Sequence, residues 1–177
     1  MNAMDAIFSR RSIRSYTGEM PSDEELNLIL KAVYASPVGM GRYDSLHVTV
    51  VKSKNFLARL EAAAGAQMGK ADVHPLYGAP LLLIFSSVFP GIPTDNSSYS
   101  NCAILSENAA LAAAALGLGA CHIWGAIRAL NKEPQLLAEL NLPEGFLPCC
   151  ALALGKTEET YERRSIQENR IMTNTME

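Results

Sequence analysis

Leu26, Ile29, Leu30 and Val33 recur at intervals of three and four residues, which sets them on one stripe of a helix packed against a core. Ser22 followed by Asp23, Glu24 and Glu25 supplies the start of that helix, a hydroxyl cap with acidic residues over the positive end of the dipole. Ser36-Pro37 ends it just past Ala35. Met4, Ile7 and Phe8 predict a shorter helix at the N-terminus, and Phe56 to Leu60 opens another that fades through Ala62 to Gly65. His47 to Val51 is a β-branched strand. Ala79 to Phe85, with Pro80 marking its first residue, and Cys149 to Gly155 are continuous apolar runs, the pattern expected when both faces of a sheet are covered. Residues 101–116 are alanine-rich and apolar nearly all round, so they predict a helix buried at the centre of the domain or of a dimer, with Gly117 as a left-handed cap. Leu130, Leu136, Leu137 and Leu140 predict one further helix before a turn at 142–146. Residues 66–77 carry no firm pattern. Residues 89–98 hold Pro90, Gly91 and Pro93 and form a loop, either an ordinary surface turn or one that gates a site.

Helices and strands interleave throughout, which predicts a single α+β domain over residues 1–177. A hydrophobic content of 49% in 177 residues is enough for one substantial core. A net charge of -3, with no extended Lys/Arg tract, argues against nucleic acid as a partner. The longest apolar region, 102–127, is interrupted by Ser106, Glu107, Asn108 and His122 and makes a poor membrane span. The N-terminus reaches arginines by position ten without an apolar core of signal-peptide length, so a cytoplasmic protein is expected. Cys102, Cys121, Cys149 and Cys150 form no CxxC pair and suggest no zinc spacing, so they read as buried, reduced thiols.

Against this acidic background, Ser9-Arg10-Arg11-Ser12-Ile13-Arg14-Ser15-Tyr16 is locally basic. Guanidinium forks bond phosphate oxygens bidentately and a serine hydroxyl adds a directional donor, so the stretch is either a phosphate site or a solvated basic face.

A helix followed by Arg-Arg-Ser-Ile-Arg-x-Tyr and an extended stretch closed by Pro21 resembles the opening of the FMN-dependent nitroreductase family. Ser36-Pro37-Val38-Gly39-Met40-Gly41 resembles that family's SPSGMN loop, and GLGACHIWGA at 117–126 resembles its GLGS-x-W-I-G region. The resemblance implies a central, mainly antiparallel sheet flanked by helices, in an intertwined homodimer that places two FMN molecules at its interface. It implies hydride transfer from NADH or NADPH to flavin N5, then reduction of a nitroaromatic, a quinone or a similar small acceptor. By the same resemblance Arg10, Ser12 and Arg14 hold the flavin phosphate and neighbouring polar groups, with Arg11 a fourth contact. Pro37, Val38, Gly39 and Met40 lie along the flavin, and Trp124 and Gly125 lie near N5. Lys156 and Arg164 are the basic tail residues that reach the phosphate, with Arg163 and Arg170 as the competing choices.

The chain departs from the family after the glycine loop, where Arg42-Tyr43-Asp44-Ser45-Leu46 replaces Asn-x-Gln-Pro-Trp, so only Arg42 is a candidate side chain there. Read without the resemblance, Trp124 is a core residue and His122 a packed, hydrogen-bonded one. Neither a Ser-His-Asp set nor a paired-carboxylate site emerges, which fits chemistry carried by a flavin, and no GxGxxG fingerprint marks a resident dinucleotide. A flavin-binding protein with little turnover is the alternative. Dehalogenation or flavin fragmentation would need lid or pocket residues that the chain does not display. The tail, 158–177, is either a frayed end or an arm that packs on a partner subunit.

Overall fold

The computed structural model describes residues 2–69, 73–89, 96–168 and 170–176. Strands β1 (Leu46–Val51), β2 (Leu81–Val88), β3 (Gly119–Ile123) and β4 (Phe146–Gly155) form one sheet in the order β1-β2-β4-β3. Every neighbouring pair is antiparallel. β2 and β4 lie at its centre, which is why their sequences are apolar without alternation. Leu82, Ile84, Ala151, Ala153, Cys121 and Ile123 face α3 (Lys54–Gln67), α5 (Gly125–Leu130) and α6 (Pro134–Glu139). Leu81, Leu83, Phe85, Leu152, Leu154 and Ala120 face α2 (Asp23–Tyr34) and α4 (Ser97–Ala115) on the other side. Each fully buried Leu, Ile or Phe in these two cores contributes about 1.5–3 kcal/mol of transfer free energy.

α2 begins as its sequence dictates. The Ser22 hydroxyl accepts the Glu25 N–H, and the Glu25 carboxylate accepts the Ser22 N–H at 2.7 Å, a complete capping box. Leu26, Ile29 and Val33 are buried. At α4 the sheet-facing row of Cys102, Leu105, Ala109, Ala110 and Ala113 is buried, yet Ile104 is exposed and Leu111 and Ala112 are only half-buried. The apolar helix expected to be enclosed all round is therefore covered on one side by this chain.

Several elements differ from the sequence expectation, and β3 was not expected as a strand at all. In α1 (Ala3–Ser9) the buried residues are Ala6 and Ser9, while Met4 and Ile7 are exposed. The single helix expected around residues 130–140 is two, because Pro134 opens α6 and cannot continue α5. The tail is neither frayed throughout nor detached: residues 157–164 turn back along the protein's own first segment, as described below. The gating question for 89–98 falls largely on residues 90–95, outside the described residues, and α4 begins at Ser97. Among the described residues no helix is long and apolar enough to cross a membrane.

Candidate functional site

The arginine stretch is held by its one apolar residue. Ile13 is wholly buried, and its N–H donates to Ala120 O in the edge strand β3 at 2.9 Å. The Tyr16 hydroxyl donates to Ile13 O at 3.0 Å, and Thr17 N–H to Lys156 O at 3.0 Å. Small residues make this fit possible, since a Cβ on Gly119 would lie 3.0 Å from both Ile13 and Tyr16. With Ile13 turned in, the charged neighbours are thrown to either side of the strand edge.

Arg10, the C-cap of α1, turns toward α4. Its Nε donates to Glu107 Oε1 at 3.0 Å. The other carboxylate oxygen of Glu107 meets His122 Nε2 at 2.9 Å, and His122 Nδ1 meets Ser106 Oγ at 2.9 Å. Burial pushes the Glu107 carboxyl up, but His122 and Arg10 outweigh it and hold it below the ordinary carboxylate value. Arg11 turns to the tail, where Nη2 donates to Thr160 O at 2.9 Å and to Glu159 Oε2 at 3.1 Å, while its Nε is buried without a partner. Arg14 is exposed, with its guanidinium carbon 5.6 Å from the centroid of the Tyr77 ring, and pairs with no carboxylate among the described residues. Ser12 is exposed beside the thiol of Cys121. Burial pushes that thiol up against the opposing pull of Arg14, Ser12 and Arg10.

The segment runs antiparallel to β3. Tyr16 lies against Gly119, Ile13 against Ala120, and Arg10 is linked through Glu107 to His122, and Trp124 and Gly125 follow β3 at the start of α5. Trp124 is 52% exposed, which removes it from the core. Gly125 is the first residue of α5, so its N–H has no partner one turn back in that helix. A Cβ on Gly125 would lie 2.6 Å from Met68 Cε, the movable end of a side chain at the C-cap of α3.

The glycine loop lies apart from the arginines. Gly39 N–H donates to Asn101 Oδ1 at 3.0 Å, Met40 has a left-handed φ of 57° and is exposed, and Arg42 joins them in lining a cavity of about 300 Å³ with Ser87, Ser98 and Asn101. None of Arg10, Arg11 and Arg14 lines it. Pro37 is exposed, and Val38 packs on the α2–α4 core.

The two basic residues expected to reach the phosphate from the C-terminal part, Lys156 and Arg164, also separate. Lys156 Nζ donates to both oxygens of Glu25, at 2.7 and 2.8 Å, and so belongs to the start of α2. Arg164 donates from Nε to Phe8 O at 3.1 Å and from Nη2 to Ile7 O at 3.4 Å, capping the negative end of α1 two residues from Arg10. Arg163 lies 4.7 Å over the Phe8 ring, and Arg170 is exposed.

Glu107, Met68 and Tyr77 are additions that sequence reasoning missed. A signal existed for Glu107, the one charged residue in α4. Met68 and Tyr77 sit in the stretch without a pattern and carry no such mark.

Residues 7–156 match the pattern of the Nitroreductase family. A nitroreductase of Bacteroides fragilis, solved with bound FMN, superimposes with a TM-score of 0.81 at 26% identity, covering 99% of this chain and 100% of that one. A nitroreductase of Desulfitobacterium hafniense, also solved with bound FMN, gives a TM-score of 0.83 at 27% identity, again covering 99% and 100%. An FMN reductase (NADPH) of Bacillus subtilis is 26% identical over 167 residues, 87% of this chain and 65% of that protein.

Proposed function

This chain belongs to the nitroreductase family, and from that membership we propose that it is an FMN-dependent oxidoreductase drawing on NADH or NADPH to reduce a nitroaromatic, a quinone or a similar small acceptor. The observation that carries the reading is the anchored arginine segment. Ile13 fixes the backbone on β3, and Arg14 stands exposed, free of any carboxylate among the described residues, beside Ser12 and Arg10. Cationic N–H donors and a hydroxyl on a rigid edge suit a phosphate monoester.

FMN supplies the hydride and electron chemistry when bound, and the chain supplies binding, orientation and a shaped environment. Arg10, Ser12 and Arg14 hold the phosphate, with Arg164 reinforcing the end of α1 beside it. Trp124, half exposed, and the N–H of Gly125 would border the ring, where a fixed donor would favour charge developing on it. Met68 is the side chain that must turn away for anything to approach Gly125 closely. Lys156, committed to Glu25, takes a stabilising role in place of the expected phosphate contact.

Gly39, Met40 and Arg42 line a cavity that Arg10, Arg11 and Arg14 do not reach, so in this reading the loop serves a flavin held by a second copy of the chain. Exposed Ile104, Tyr34, Tyr43 and Met40 give such a homodimer apolar surface to cover. The cysteines are all unpaired thiols, which fits a cytoplasmic location.

Visible absorption of the purified protein, titration with FMN and then anaerobic addition of NADH or NADPH test the reading. Flavin bands that bleach with a pyridine nucleotide support it. Bands that persist point to a flavin-binding protein with little turnover, and a protein that takes up no FMN overturns the assignment.

A further inference from the structure

Both carboxylate oxygens of Glu107 are engaged. Oε1 accepts from Arg10 Nε at 3.0 Å and Oε2 from His122 Nε2 at 2.9 Å. An ionised carboxylate has no proton to give, so His122 carries a proton on Nε2, and in the neutral ring Nδ1 accepts from the Ser106 hydroxyl at 2.9 Å. Ser106 is 1% exposed, so this end of the chain is rooted in the core. Ser106 and Glu107 are consecutive in α4, which thereby grips one imidazole at both ring nitrogens. A directional series of bonds runs from the core to the guanidinium of Arg10.

The atom at which it arrives matters. A guanidinium presents its Nε–H on one side and a terminal edge made by its two Nη groups. Glu107 takes Nε and leaves the terminal edge. We propose that Glu107 is a positioning residue: held by His122 and Ser106, it fixes the plane of the Arg10 guanidinium so that the terminal Nη edge meets the flavin phosphate. This rests on the reading of Arg10 as a phosphate ligand. Glu107 does not itself touch the ligand, and its negative charge opposes an incoming phosphate. Its benefit therefore comes through geometry alone.

That opposition of charge and geometry gives a specific test: Glu107→Ala and Glu107→Gln, each titrated with FMN and with riboflavin, which lacks the phosphate. Glutamine can accept from Arg10 through its carbonyl oxygen and donate to His122 Nε2, with the imidazole in its other tautomer donating from Nδ1 to Ser106. It keeps every bond and loses only the charge. The expected result is that E107A binds FMN about tenfold more weakly, the effect of one charge-assisted hydrogen bond. E107Q should bind FMN as tightly as wild type or tighter, and riboflavin affinity should be the same in all three proteins. Thermal melting of the flavin-free proteins checks the fold, and if E107A does not fold, Ser106→Ala removes the far end of the series and should show the same preference for loss on FMN.

Wild-type affinity in E107A, or tighter binding, would make Glu107 a mere competitor for Arg10 and overturn the proposal. Equal losses in E107A and E107Q would assign the effect to charge, and equal losses on FMN and riboflavin would assign it to general disruption; both overturn it. A wild-type protein that takes up no FMN overturns the parent reading and this inference together, whereas wild-type uptake with an unaffected E107A overturns this inference alone.

Discussion

Gly119 and Gly155 are Cα partners across β3 and β4, and a methyl group on either would meet the ring of Tyr16 at 3.0 Å. The missing side chains make a slot that Tyr16 fills, and Tyr16 in turn holds Ile13 O. A Cβ on Gly155 would also lie 2.6 Å from Pro80 Cδ, part of a ring that cannot swing away. Gly155→Ala is therefore expected to cost about 1–3 kcal/mol, as overpacking does, and to lower Tm by roughly 2–4 °C per kcal/mol in a domain of this size. Gly125→Ala meets only the end of Met68 and should melt within about 0.5 kcal/mol of wild type. Equal melting temperatures for G155A and wild type, measured by circular dichroism, would show that Pro80 and Tyr16 give way.

Arg14 makes no ion pair among the described residues and stands exposed over Tyr77, so the fold gains little from it. Arg14→Ala should leave Tm within about 1–2 °C of wild type, since exposed substitutions of this kind stay near 0.5 kcal/mol. Its FMN Kd should rise about tenfold or more, because hydrogen bonds between charged groups are worth about 1.5–3 kcal/mol. Fluorescence titration decides it, and wild-type affinity in R14A would return Arg14 to the solvated surface.

Lys156 and the Ser22 N–H hold the Glu25 carboxyl below its ordinary value, with Lys156 the larger cause. A depressed folded pKa means that the stabilisation is present above the unfolded carboxylate value, about 4.3, and is lost as pH falls through the folded value. Glu25→Gln should cost about 1 kcal/mol at pH 7, a figure kept small because Lys156 is 37% exposed and screened by solvent. The gap in Tm between the two proteins should hold from pH 8 to 6 and close below about pH 4. A gap that stays constant down to pH 3 would show that the charge of the Glu25 carboxylate is not what stabilises the pair with Lys156.

The cap at Ser22 was legible because its partners lie three residues apart, and β2 and β4 were legible because a strand covered on both faces has no reason to alternate. The arginine segment was legible as chemistry, while its directions were not. Which arginine meets Glu107, which meets Glu159 and which stays open depends on Ile13 being drawn into the β3 edge from a distant part of the chain. Lys156 matched a family position, yet β4 delivers it to the start of α2, a meeting of remote segments that no local pattern encodes. Trp124 shows the limit of residue type as a guide, since a lone tryptophan reads as core and this one is half exposed. Pro134 was a visible stop signal within the leucine series, and the split into α5 and α6 follows from it.

The tail after β4 is tied to the first segment at several points. The Tyr161 hydroxyl donates to Leu118 O at 2.7 Å, and burial pushes its phenol up to about 12. Arg164 holds the last carbonyls of α1, and the Thr157 hydroxyl donates to Ser15 O at 2.8 Å. Removing Tyr161 and Arg164 together, as Tyr161→Phe with Arg164→Ala, should cost about 2 kcal/mol, roughly one for each lost set of bonds. The loss should be local, since neither residue belongs to the two cores. Trypsin should then cut after Arg163 faster than in wild type, while the sheet core resists, as mass analysis of timed digests would reveal. Because Arg10 is the C-cap of the same helix that Arg164 closes, loosening it should also weaken FMN binding. Faster cleavage with unchanged FMN affinity would show that the tail secures the chain's end without serving the site. Unchanged cleavage would mean that Arg11 and Thr157 suffice to hold it.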